Sequence, residues 1–175
     1  MEENTKVHAQ TTPLGVAAYN QHIALYHTLP GNEKFFQADL SGDGFTFASR
    51  SDKAKIVDEK RRNVNPQKTQ DFRVAHMNDR YILLYKYRKE KFATTYAATS
   101  KDLIRWQRIG RLTSIKETGV IVSDYQHDGG FVMYTGEESI SIATSHDLTN
   151  WNVAPEPILT SHKTLPSCTV PIKKD

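Results

Sequence analysis

Apolar residues fall in short runs separated by tight polar turns, and the runs recur in groups. Asp71 to Trp106 shows the plan most completely. A first run, Arg73-Val74-Ala75, meets Asn78-Asp79. A second, Tyr81-Ile82-Leu83-Leu84-Tyr85, follows at once, a third covers Phe92 to Ala98, and Ser100-x-Asp102-Leu103-x-x-Trp106 closes the group. Asn-Asp here, and Asp128-Gly129-Gly130 further on, tolerate positive φ and so favour tight hairpins. Tyr81 to Tyr87 is apolar and aromatic with little clean alternation, as expected of a strand buried on both faces.

The same plan appears once before this stretch and once after it. The earlier copy runs from Val16 to Phe47 and ends in Ser41-Gly-Asp43-Gly44-x-x-Phe47; the later copy runs from Val120 to Trp151 and ends in Ser145-x-Asp147-Leu148-x-x-Trp151. Tyr26 lies 15 positions before Ser41 and Tyr85 lies 15 before Ser100, while Tyr134 lies 11 before Ser145. On this spacing Tyr26, Tyr85 and Tyr134 are equivalent. A repeat of about 45 to 60 residues with roughly four strands per unit is the pattern of propeller blades.

The expected fold class is therefore all-β, a propeller of four-stranded antiparallel blades. Blade 1 covers about residues 13–50, a connecting insertion 51–69, blade 2 about 70–113 and blade 3 about 116–158. Thr169-Val170-Pro171-Ile172 reads as the start of a fourth unit at 168–175, which suggests an incomplete ring or one that a second chain or homo-oligomer closes. The Ser and Asp of each ending are expected to cap backbone donors in a one-turn helix, with the Trp folding onto the flank of its blade. The strongest helix candidate is Asp52 to Arg62, which is charged all round and lacks an apolar stripe.

Composition fits a soluble globular protein, with 38% hydrophobic, 25% charged and 10% aromatic residues. The net charge of +3 comes without a dense basic stripe, so nucleic acid is not an expected partner. Lys53 to Arg62 interleaves its basic residues with Asp52, Asp58 and Glu59 and reads as a solvated loop. Cys168 is the only cysteine, which excludes an intramolecular disulfide and fits a reducing compartment. Met1 to Thr12 is polar, unlike a signal peptide, and no apolar run approaches the roughly 20 residues that span a bilayer. A cytoplasmic protein with no membrane partner is the expectation.

Several kinds of chemistry find no support. The seven histidines lack metal-ligand spacing, so no metal is expected. No Gly-x-Gly-x-x-Gly or P-loop pattern is present, and no serine is paired with a histidine at fixed spacing. Glu137-Glu138 would point to opposite faces of a strand and reads as a solvated turn.

Gln70-Asp71-Phe72-Arg73-Val74 is similar to the Glu-Asp-Pro-Arg-[Ile/Val] motif that opens the second blade of the β-mannoside phosphorylase and hydrolase family, glycoside hydrolase family 130. With the three repeats, the chain resembles these five-bladed β-propeller glycosidases over about residues 12–175, as the N-terminal three blades of a longer ring. The resemblance implies an oligosaccharide site at the mouth of the central channel. Asp71 would be the catalytic acid, acting through a substrate hydroxyl, and Arg73 would hold the adjacent sugar or orient the carboxylate. Thr12, Lys116 and Glu117 would contact substrate.

The departures from the family pattern are specific. Phe72 replaces the family's Pro, Gln70 its Glu, and Thr12-Pro13 its Asn-Pro. Lys116-Glu117 stands for Lys-Asp, and Tyr134-Thr135 replaces the His-Arg of the phosphorylases. A phosphate site wants convergent basic groups, so inverting hydrolysis of β-mannosides or related oligosaccharides is expected ahead of phosphorolysis, with inorganic phosphate needed only for the latter and no other cofactor. The alternatives are a non-catalytic carbohydrate-binding or assembly module, and a generic propeller for protein contacts.

Overall fold

The computed structural model describes residues 12–19, 22–29, 31–32, 34–49, 53–77, 79–123, 130–136 and 139–160. The hairpin residues Asn78, Glu137 and Glu138 and the tail at 168–175 lie outside them. The first sheet is formed by β1 (Thr12–Tyr19), β2 (His22–Thr28), β3 (Phe36–Ser41) and β4 (Ala48–Ser49) in that spatial order. Next come β5 (Lys55–Val57) and a 3₁₀ turn at Pro66–Lys68, then β6 (Thr69–Met77), β7 (Arg80–Lys89), β8 (Phe92–Ser100) and β9 (Arg105–Arg111). The third sheet holds β10 (Val120–Ser123), β11 (Phe131–Thr135), β12 (Ser139–Ser145) and β13 (Asn152–Val153), with β14 (Leu159–Thr160) also paired to β12.

Each repeat thus folds as an antiparallel meander, and the sheets pack face to face. Strand β6 touches both β1 and β10, so the first strands of the three meanders stand side by side. This is β-propeller architecture, all-β as the repeat requires. The helix expected over Asp52–Arg62 does not form at residues 53–62: Lys55–Val57 runs parallel to Arg105–Gln107 and adds a fifth strand to the middle sheet. Lys53–Arg62 is not simply solvated either. Ile56 is buried, and the buried Asp58 carboxylate accepts the backbone N–H of Lys60 and Arg62 as well as the Arg62 guanidinium. Alternation decided against the helix: with Ile56 inward and Lys55 and Val57 half-exposed, an outer edge strand is the better solution.

The three Ser-x-Asp endings fold alike, as bends rather than helical turns. Oδ1 of Asp43 accepts from the N–H of Phe45 and Thr46; Asp102 accepts from Ile104 and Arg105, and Asp147 from Thr149 and Asn150. The residue after each Asp adopts a positive φ: 80° at Gly44, 63° at Leu103 and 68° at Leu148. That explains why glycine can stand here, and what leucine gains in return is burial. Trp106 and Trp151 each donate an indole N–H to the carbonyl of that leucine. They do not simply lie on their own sheets. Trp106 is packed in the core between the first and second sheets, and Trp151 in the core between the second and third.

Strand β7 is buried on both faces as its sequence suggests. Tyr81, Leu83 and Tyr85 face the first core, whereas Ile82 and Leu84 face the second. Tyr26 also lies in the first core, but from the other side of it. Gly15 pairs with Tyr26 and Arg73 pairs with Leu84, so the partner of Tyr26 in the repeat is Leu84 and not Tyr85. The first hairpin between β2 and β3 is one residue shorter, which made the tyrosine spacing agree by coincidence.

Backbone N–H groups of Thr46 and Phe45 hold the Asp43 carboxyl well below its usual range, and Asn150 and Thr149 do so for Asp147. At Asp102 burial pushes upward, but the N–H groups of Arg105 and Ile104 outweigh it. A lowered folded-state value means stability that is complete above the unfolded Asp value of about 3.9 and is lost as pH falls through the folded values. Urea titrations between pH 5 and pH 2 are expected to show a steady loss of stability, with a shallower loss in Asp147→Asn, which keeps a capping oxygen but cannot titrate.

Candidate active site

Asp71 and its neighbours occupy an irregular start to β6. The register against β7 shifts between Gln70 and Arg73, leaving Asp71 and Phe72 in a β-bulge, and Asp71 takes a φ of 61°. Bulges bend a strand and re-aim side chains. Here the two bulged residues diverge. Phe72 is 1% exposed, with its ring centroid 5.4 Å from Phe36, 5.7 Å from Tyr26 and 6.0 Å from Tyr85. Asp71 remains half-buried, at the edge where the second and third sheets meet.

Two close backbone approaches frame this edge. A Cβ on Gly15 would lie 2.5 Å from the Phe72 carbonyl oxygen and 2.6 Å from the Phe72 Cβ, so β1 can pass the bulge only as glycine. A Cβ on Gly119 would lie 2.3 Å from the Tyr134 carbonyl oxygen, so the segment before β10 is pressed against β11 in the same way. Thr135 Oγ1 also donates to the Glu117 carbonyl at 3.0 Å, and Thr95 Oγ1 to the Lys116 carbonyl at 3.0 Å. The backbone of 116–119 is therefore held from both the second and third sheets.

The side chains meet across that seam. Asp71 Oδ1 lies 3.1 Å from Arg73 Nη2, while Oδ2 accepts the Thr118 hydroxyl and lies 3.7 Å from Lys86 Nζ. Lys86 also donates to Glu117 Oε2. The Lys86 side chain is 15% exposed, against 28% for Asp71 and Arg73 and 33% for Glu117. Two carboxylates and two cations make the group neutral overall. Arg73 Nε is buried and has no hydrogen-bond partner among the described residues.

Of the residues singled out from sequence, Asp71, Arg73 and Glu117 are brought into one cluster. Lys116 contributes its carbonyl, but its side chain enters none of the ion pairs among the described residues. Thr12 pairs with Thr28 in the β1–β2 ladder, and its side chain lies outside the described residues. Lys86 and Thr118 belong to the cluster and were not expected. Lys86 sits in an otherwise buried strand run, where a half-buried lysine is the available signal. No metal-binding group of three acidic, His or Cys residues occurs among the described residues.

A partly exposed carboxylate beside an arginine, on an inner strand, can hold a hydroxyl and exchange a proton with it. The phenyl ring beside it is no defect. Phe72, which the resemblance sets against a proline, fixes the bulge by burial.

Solved structures that match this fold include glycoside hydrolases and mannoside phosphorylases. A protein from Parabacteroides distasonis ascribed to the glycoside hydrolases is 24% identical, with a TM-score of 0.60 over 82% of this chain and 49% of that one. A structure from the GH130 family of mannoside phosphorylases, which contains glycoside hydrolases that target β-1,2 mannosidic linkages in Candida mannan, is 21% identical, with a TM-score of 0.59 over 81% of this chain and 47% of that one. A β-1,2-mannobiose phosphorylase from Listeria innocua is 14% identical, with a TM-score of 0.56 over 84% of this chain and 60% of that one. The chain spans about half the length of the first of these structures. No family model matches the sequence, and no curated protein matches it. The likeness lies in the fold, which is the one the GH130 resemblance implied.

Two substitutions test the frame of the site. Phe72→Ala is expected to cost about 3–5 kcal/mol, the usual range for deleting a buried phenyl. Gly15→Ala, which forces β1 off the bulge, is expected to cost about 1–3 kcal/mol. Urea denaturation of both variants against wild type checks these values, and a cost below about 0.5 kcal/mol at either site would contradict the packing described.

Proposed function

We propose that this chain is the Asp71-bearing part of a glycoside hydrolase-like protein that cleaves β-mannosides or related oligosaccharides with inversion. Asp71 acts as the acid, exchanging its proton through a substrate hydroxyl, and Arg73 holds the sugar beside it. The observation that carries this reading is the cluster itself: the bulge aims a carboxylate out of the inner strand where Arg73 and Thr118 orient it. The resemblance of Gln70–Val74 to the family motif and the fold of the GH130 structures support the substrate class.

Charge favours hydrolysis over phosphorolysis. Arg73 and Lys86 are already matched by Asp71 and Glu117, so the cluster offers no surplus positive charge for a dianion. At the position of the phosphorylases' His-Arg stand Tyr134 and Thr135, and the threonine hydroxyl is engaged by the Glu117 carbonyl.

A non-catalytic carbohydrate-binding module is the second reading, favoured by Thr12 and Gln70 standing where the family has Asn and Glu. Turnover of β-1,2-mannobiose with and without phosphate separates the two. Hydrolysis should occur without phosphate and fall by about 10²–10⁴-fold in Asp71→Asn, the usual worth of a general acid. Binding without turnover would favour the module, and a loss of only a few-fold would remove Asp71 as the acid.

A further inference from the structure

Among the described residues, Lys86 is the one cation that bridges a carboxylate of the middle sheet and one from the approach to the third. Its ammonium lies 3.7 Å from Asp71 Oδ2 on β6 and donates to Glu117 Oε2 from the segment leading into β10. It stands on β7, whose neighbours Leu83, Leu84 and Tyr85 are fully buried, and its own side chain is 15% exposed. A lysine so placed gives up hydration and rotamer freedom, so it needs a return greater than an exposed ion pair provides. The return available here is relief of repulsion. Asp71 and Glu117 both contact the same ammonium, and two carboxylates that close destabilise each other unless a cation or a proton lies between them.

Among the described residues, Lys86 forms ion pairs with Asp71 from β6 and with Glu117 from the turn before β10. Arg73 reaches Asp71 through Oδ1 and has no described contact with Glu117. Lys86 is thus the group that joins the two carboxylates. From this geometry we infer that Lys86 is a positioning residue, an electrostatic clamp that holds Asp71 and Glu117 side by side and thereby holds the site together across the seam between the second and third sheets.

The consequence for catalysis rests on the function proposed above; the clamp itself does not. The Thr118 hydroxyl donates to Asp71 from the residue next to Glu117, so loosening the seam withdraws that hydrogen bond as well. Misplacing an acid by about 1 Å can cost on the order of 10²-fold in rate.

The experiment compares wild type, Lys86→Met, Lys86→Arg and the double variant Lys86→Met/Glu117→Gln, using thermal melting at pH 7 and the pH profile of kcat/KM on β-1,2-mannobiose. Lys86→Met should melt several degrees lower, and the alkaline limb of its profile, where a general acid loses its proton, should move to higher pH, because two carboxylates without the ammonium between them give up a shared proton less readily. Adding Glu117→Gln should return most of both changes, although it removes a further polar contact; Lys86→Arg should stay near wild type. A double variant that folds where Lys86→Met does not is the same rescue.

If the double variant is no more stable than Lys86→Met, or Lys86→Met melts like wild type, the clamp is wrong. Absence of any mannoside turnover in the wild type would instead overturn the functional reading, while the melting comparison still decides the clamp.

Discussion

Everything at the candidate site hangs on one bulged dipeptide, in which Phe72 goes inward and Asp71 outward. Burial of a phenyl ring supplies roughly 1.5–3 kcal/mol of favourable transfer. That is enough to offset the order of 1–3 kcal/mol that a non-glycine residue costs in a left-handed backbone conformation. Phe72 sits among Tyr26, Phe36 and Tyr85, rings contributed by both the first and second sheets. The core between the sheets and the direction of the Asp71 carboxylate are therefore one structural fact. Gly15 completes it, because only a glycine on β1 lets the neighbouring strand lie against the bulge.

Around that fixed point the site is assembled from separate parts of the chain. Thr118 is 47 positions from Asp71 and Glu117 is 31 from Lys86, yet hydrogen bonds join each pair. The propeller makes such meetings possible by placing the first strands of successive sheets side by side. The result is a neutral cluster, in which a carboxylate is oriented by donors from both sides of the seam. Neutrality also suits a sugar, whose hydroxyls need directional partners more than net charge.

Much of the fold was legible because the repeat states it three times. Ser-x-Asp-[Gly/Leu]-x-x-[Phe/Trp] encodes a turn whose hydrogen bonds from backbone N–H to the Asp carboxylate are nearly identical in every copy, and the all-β reading follows from it. The equivalence of Tyr26 with Tyr85 failed, since a one-residue difference in hairpin length moves a side chain to the opposite face of a strand. Residues 52–62 misled for a related reason: a three-residue edge strand has too few positions to show its period. At the site, Asp71 and Arg73 were legible through a local motif. Lys86 and Thr118 were not, because their significance lies in contacts between distant segments, which no local pattern records. Phe72 read as a departure from the motif's proline, whereas packing makes it the anchor of the bulge.

If the bulge presents Asp71 to the glycosidic linkage of a bound oligosaccharide, a crystal structure of the Asp71→Asn protein with β-1,2-mannobiose tests it most directly. The disaccharide is expected at the inner edge of β6, with a sugar hydroxyl next to the linkage within hydrogen-bond reach, about 2.6–3.2 Å, of the residue-71 side chain. A sugar bound elsewhere on the sheets, with residue 71 facing only protein groups, would contradict that role for Asp71.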